Sequence, residues 1–315
     1  MCFVVALLFF GCSSGSKPKS WELFFAEKIN PAIPLEDRIK PAPAHVIDWL
    51  HKLDSTTGYK PYMPAENEKA LFTSYVQLLP RQFKQVIQEK TVVIYFIDNL
   101  MYGGMNMIES DDSGNNYGVI FLNREILRRT ASDWMNFRDN SFFYDDGSGI
   151  TLVSEWSGDY FALIHTLVHE TAHLYDHYFK ITPFVDPPHG SEASALQTDF
   201  TANVWKNYYL PLDEFNFPYR SELSAYGLGP AQKKSLAPEI YRSLQKTPFV
   251  SLYGSQSWAE DFAEAFTFFY LAKYLDVNMQ VKIIDAETNE ELLIYKPTQN
   301  PLLAGRFDAF ERICE

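Results

Sequence analysis

Ile164-His165-Thr-Leu-Val-His169-Glu170-Thr-Ala-His173-Leu174-Tyr-Asp176-His177 places a histidine at every fourth position. Residues four apart on a helix share a face, one turn from each other. His169 and His173 can therefore both reach one ion of zinc size, and Glu170, one residue round, flanks it. This is the HExxH pattern. Zinc prefers nitrogen, oxygen or sulfur donors in a tetrahedron, and a catalytic site keeps one position for water. Ile164, Leu167, Val168, Thr171, Ala172 and Leu174 make the same helix largely buried. A carboxylate between two histidines on a buried helix is costly unless it is paired or metal-bound. His165 and His177 lie a further turn away, ~6 Å along the axis, and read as neighbours of the site.

Two histidines do not make a stable mononuclear site, so a third ligand comes from elsewhere. Asp176, Glu192, Asp199 and Glu260 are the candidates. Glu260 has the best context, in Tyr253-Gly254-Ser-Gln-Ser-Trp258-Ala-Glu260-Asp261-Phe-Ala-Glu264-Ala-Phe266. Glu260 and Glu264 share a helix face, with Phe262, Ala263, Phe266, Phe269 and Tyr270 around them. Two carboxylates on a buried face must be neutralised, which a zinc held by two histidines achieves.

The HExxH helix and this second segment together resemble the gluzincin metallopeptidases of the anthrax lethal factor catalytic domain and Pro-Pro endopeptidase family. There a Tyr-Gly turn precedes a helix of the form Glu-x-Phe-Ala-Glu-Ala-Phe. The resemblance implies Glu260 as third zinc ligand, Glu264 as its support, fixing the tautomer of a ligand histidine, and Tyr253 as a donor to the developing oxyanion. It also implies one Zn²⁺ per chain, a bound water of lowered pKa, Glu170 as general base and hydrolysis of peptide bonds. The sequence departs from that family in having 86 residues between His173 and Glu260, and Asp261 where an aromatic is usual. An extended substrate needs a strand edge beside the metal, and Tyr117 to Asn123 is the candidate. The other class of function is a binding lipoprotein whose zinc site is structural or idle. Glu170 speaks against it, because a structural site needs no base.

Outward from these segments, His45 to Leu53 and Glu66 to Gln88 have helical periodicity, the latter interrupted by Pro80. Thr91 to Asp98 and Tyr117 to Asn123 are β-branched and aromatic strand candidates. Gly103-Gly104 and Glu109 to Asn116 are turn-rich. Arg124 to Phe137, Asp159 to Phe179, Ser191 to Tyr208 and Trp258 to Leu275 are expected as helices. Asp139 to Gly149 is a polar loop without the ligand register of a calcium loop. The expected fold is α+β: a zincin-like domain, mainly helical with a small sheet.

The N-terminus carries a different message. Phe3 to Phe10 is wholly apolar, and Gly11-Cys12 is followed by Ser13-Ser-Gly-Ser-Lys-Pro-Lys19. This resembles a bacterial lipoprotein signal, with Cys12 lipidated and Ser13 pointing to an outer membrane in a Gram-negative host. The positive n-region of such signals is missing. Residues 1–11 are then the signal, 12–20 a tether and 21–315 one metallopeptidase domain, divided into 21–150 and 151–315, held at the cell envelope. Three cysteines among 315 residues give no disulfide framework. Forty acidic against 27 basic residues, net −13, argue against a nucleic-acid partner.

Overall fold

The computed structural model describes residues 30–110, 116–185 and 197–314. The expected signal, Cys12 and the tether lie outside them, as does Glu192. In chain order the elements are β1 (Ile39–Lys40), α1 (Ala44–Leu53), β2 (Lys60–Tyr62), α2 (Glu66–Gln77), α3 (Arg81–Lys90), β3 (Thr91–Asp98), β4 (Gly104–Ser110), β5 (Asn116–Asn123), α4 (Ala131–Asn140), β6 (Phe143–Tyr144), β7 (Ile150–Trp156), α5 (Leu163–Phe179), β8 (Gln232–Lys233), α6 (Ala237–Leu244), α7 (Trp258–Tyr274), β9 (Met279–Asp285), β10 (Glu291–Tyr295) and α8 (Ala304–Cys314). The architecture is α+β. In place of one small sheet there are three among the described residues: β1-β3-β5-β4 with β2 also on β3, the antiparallel β10-β9-β7, and the two-stranded β6-β8.

The first sheet is buried on both faces, and the two-residue period of a strand divides its side chains between them. Ile94, Phe96, Ile120 and Leu122 enter the core built with α2, α3, α5 and α7. Val93, Tyr95, Ile97, Val119 and Phe121 face α1. β5 pairs with β3 in parallel and with β4 in antiparallel register. It therefore has no free edge, and the expectation that Tyr117 to Asn123 clamps a substrate is corrected. The edge belongs to β4, whose only strand partner among the described residues is β5.

Several expectations are refined by local chemistry. Pro80 caps α3, splitting the long helix where the ring forbids continuation. Thr130 accepts from the Asp133 N–H and starts α4, so Arg124–Leu127 is a separate 3₁₀ turn. Residues 197–208 form turns and not the expected helix. There Thr198 and Thr201 bond each other and nearby backbone, drawing it away from a helical ladder. Gly104 opens a strand where a turn was expected.

α5 and α7 cross the centre of the main core. α5 ends where Lys180 adopts a left-handed conformation, φ 54°. α7 begins at Ser257, whose Oγ accepts from the Glu260 N–H. Glu260 thus sits in the first turn, where the helix dipole favours a negative side chain. Asp261, fully buried, accepts from Trp205 Nε1 at 2.8 Å and from Arg306 of α8 at 2.7 Å twice. Asp261 thereby serves as a charged anchor for the C-terminal helix.

Candidate metal centre

α5 and α7 bring together the residues singled out from sequence. His169 Nε2 lies 3.1 Å from Glu260 Oε2 and 3.1 Å from His173 Nε2. His173 Nε2 is 3.5 Å from the same Glu260 oxygen. A tetrahedral zinc with bonds of about 2.0–2.1 Å has donor–donor edges of about 3.3–3.4 Å. The triangle has that size. Two imidazole Nε2 atoms face each other there with room for one proton between them, so at most one of the two can donate along that line. His169 Nδ1 is buried 3.2 Å from Glu264 Oε1, at an angle too oblique for a good hydrogen bond. A cation on Nε2 would hold the proton on Nδ1, towards Glu264. The donor set fits zinc.

The other candidate ligands are elsewhere. Asp176 accepts from the Thr182 backbone N–H at 2.5 Å and its hydroxyl at 2.6 Å. Asp199 lines a separate cavity with Arg306 and Arg312. His177 Nε2 pairs with Asn116 Nδ2 at 3.2 Å. His165 points away from the triangle, its Nε2 2.9 Å from Glu264 Oε1.

Glu170 is buried and its Oε2 accepts from Asn106 Nδ2 at 2.8 Å, while the same amide reaches the Glu170 carbonyl at 3.2 Å. Asn106 lies on β4, so the edge strand fixes the orientation of the base. Gly104 makes this approach feasible: a Cβ there would stand 2.9 Å from Glu170 Cγ and 2.8 Å from Thr166 Cγ2. Burial pushes the Glu170 carboxyl above its ordinary range, with His169, His173 and the Asn106 amide opposing.

Glu264 is wholly buried beneath the triangle. Arg138 Nη1 donates to its two oxygens at 3.0 and 2.9 Å, and Ser251 Oγ donates at 2.6 Å. Arg138, 1% exposed, also donates to Asp139 Oδ1 at 3.1 Å. Burial works against the Glu264 carboxylate, but Arg138, His165 and His169 together hold it well below the usual range. Glu260 is likewise opposed by burial and held down at about 2 by His173 and His169. Burial opposes the charged form of His169, yet Glu260 and Glu264 outweigh it and hold the imidazolium up at about 10. In His165 burial wins and the ring falls to about 4.

Tyr253 lies at the same wall, its ring 5.9 Å from that of His169 and 5.5 Å beneath the Arg138 guanidinium. Burial and the surrounding carboxylates push its hydroxyl well above the ordinary range, so it is a neutral donor. Tyr226 packs 6.1 Å from Tyr253 in a left-handed backbone conformation, φ 61°, a strained state for a bulky residue. The triangle, Glu170 and both tyrosines line a cavity of about 300 Å³ bounded by β4 and the end of α1.

Sequence reasoning missed Asn106, Arg138 and Tyr226. A signal existed for Arg138: Ala131, Trp134, Met135 and Arg138 fall at i, i+3, i+4 and i+7, so the arginine interrupts an apolar stripe. Asn106 carried none once Gly103-Gly104 was read as a turn. No family model, curated protein or solved structure matches the chain.

Proposed function

We propose that the chain is a zinc-dependent endopeptidase with a zincin-like catalytic domain, one Zn²⁺ held by His169, His173 and Glu260, anchored at the bacterial cell envelope through a lipid on Cys12. The observation that supports it most is a trio of donor atoms of tetrahedral size, flanked by a buried carboxylate and open to a cavity beside β4, an edge strand among the described residues. When bound, the zinc ion supplies Lewis acidity to the scissile carbonyl and to water. Glu170, aimed by Asn106, takes a proton from water at the cavity wall and returns it to the leaving amine. Tyr253 donates to the oxyanion. With an ion on Nε2, the His169 proton would sit on Nδ1, facing Glu264, which Arg138 holds in place. The outer side of β4, an edge among the described residues, offers backbone groups to an extended peptide.

The Asn106 grip on Glu170 is the one feature that favours the alternative, an envelope binding lipoprotein with an idle zinc site. One experiment separates the two. Purified protein and Glu170→Gln are assayed for zinc by elemental mass spectrometry and for cleavage of a peptide library. Both should hold about one zinc per chain, and cleavage should fall by about 10²–10⁴-fold in the variant. Zinc in both with cleavage in neither would select the idle site, and zinc in neither would remove both readings.

A further inference from the structure

The triangle occupies only one side of its cavity. An apolar wall is contributed by Leu53, Met101, Tyr102, Met105 and Leu228, which pack with the α1 core. Met101 and Met105 are unbranched, polarizable side chains that adapt to a flexible methylene chain. One charged group stands among them. Asp54, half-buried, receives the Tyr59 hydroxyl at 2.6 Å and the Tyr102 hydroxyl at 3.0 Å, both on Oδ2. Two donors on one oxygen fix the carboxylate plane and leave Oδ1 as its acceptor for something else. Tyr102 is braced in turn by its contact with Met105 Sδ at 3.6 Å.

Three features give this wall a preference for positive charge. The charged residues lining the cavity are Asp54, Glu170 and Glu260 besides the two histidines, and no lysine or arginine is among them. Glu170 and Glu260 are engaged with Asn106 and the histidines, which leaves Asp54. Asp54 also caps the C-terminus of α1. There the last carbonyls lack helical partners and the helix dipole is negative. Burial pushes the Asp54 carboxyl up, the two tyrosine hydroxyls pulling against it, so a cation beside it relieves an existing cost.

We propose that this wall is a substrate subsite for a long cationic side chain, lysine or arginine, with the methionines and Tyr102 taking its methylene stem and Asp54 its charged head. The proposal rests on the peptidase reading but is tested by binding. Zinc-loaded Glu170→Gln protein is titrated with two N-acetylated, C-amidated peptides that differ only in carrying lysine or acetyl-lysine. The lysine peptide should bind about tenfold tighter, the range of a charge-assisted hydrogen bond. Adding Asp54→Asn should reduce that ratio to about twofold or less. Since loss of Asp54 also frees two tyrosine hydroxyls, Met105→Lys serves as a second variant. It sets the chain's own ammonium in the pocket and should abolish the lysine preference while leaving the acetyl-lysine peptide bound.

Equal binding of the two peptides, no binding of either, or a lysine preference that survives both substitutions overturns the subsite. With Glu170 restored, a protein that prefers lysine yet cleaves nothing leaves the subsite standing and removes the peptidase. One that cleaves without such a preference does the reverse.

Discussion

Two trios of two histidines and one glutamate share His169, and they have opposite fates. His169, His173 and Glu260 converge at the cavity wall. His165, His169 and Glu264 converge just behind it, their donor atoms also within 4.8 Å of one another. The rear trio contains a permanent cation, because Arg138 spans both oxygens of Glu264 and Ser251 adds a third bond. Both oxygens of its carboxylate are engaged. The front trio has no such partner, and its excess negative charge can be met by protons on the histidines or by a metal. His165 shows the difference: although it touches Glu264, burial and Arg138 keep it neutral, with a pKa of about 4. Composition and spacing do not separate a metal site from a buried polar network; a neighbouring arginine does.

The comparison breaks most sharply if the front trio is dispensable. Glu260→Gln or His173→Ala should reduce zinc from about one per chain to near none by elemental analysis, whereas a chain that keeps its zinc through both substitutions has its third ligand elsewhere. The next effect is on stability. Arg138→Met strips Glu264 and Asp139 of the buried cation they share and should cost about 3–5 kcal/mol in urea unfolding. Pairing it with Glu264→Gln should recover part of that loss, since the two sites share one interaction. A purely additive double variant would mean that the arginine does not hold this carboxylate.

A subtler outcome is expected for Glu264→Gln alone. The front triangle survives, but the orientation of His169 loosens, and zinc affinity measured by chelator competition should weaken about 10–100-fold. The smallest effect belongs to His165→Asn. His165 sits in the rear trio, so zinc stoichiometry should be unchanged. Loss of the metal in this variant would mean that the two trios act as one site.

The sequence made the front trio legible because both halves are helical and local. His169, Glu170 and His173 lie within one turn and a half of α5, and Glu260 and Glu264 within one turn of α7. Periodicity reports such faces directly. The rear trio depends on Arg138, which reaches Glu264 across 126 positions, a pairing no local pattern encodes. The strands were legible where both faces are buried, as in β3 and β5, and opaque in β4. There Gly104 mimics a turn because the helix behind it, and not the chain around it, requires a missing side chain. β7, β9 and β10 escaped notice for a related reason: Ile150–Trp156 alternates between buried and half-buried within seven residues, too short to stand out beside strong helices.

Gly104 has one more consequence. It pairs with Leu122 in the β4–β5 ladder, and its bare Cα is the point at which that ladder touches the helix carrying the base. Strand slippage in hairpins proceeds in steps of two residues if each side chain is to keep its face. Either step would bring Tyr102 or Asn106 to the gap that admits only a hydrogen. The notch therefore works as a key: the sheet can be aligned in one way only while α5 stays in place. Correct alignment then delivers the Asn106 amide to Glu170, so an error in strand pairing would also be an error in the aim of the base, and the folded chain excludes both at once.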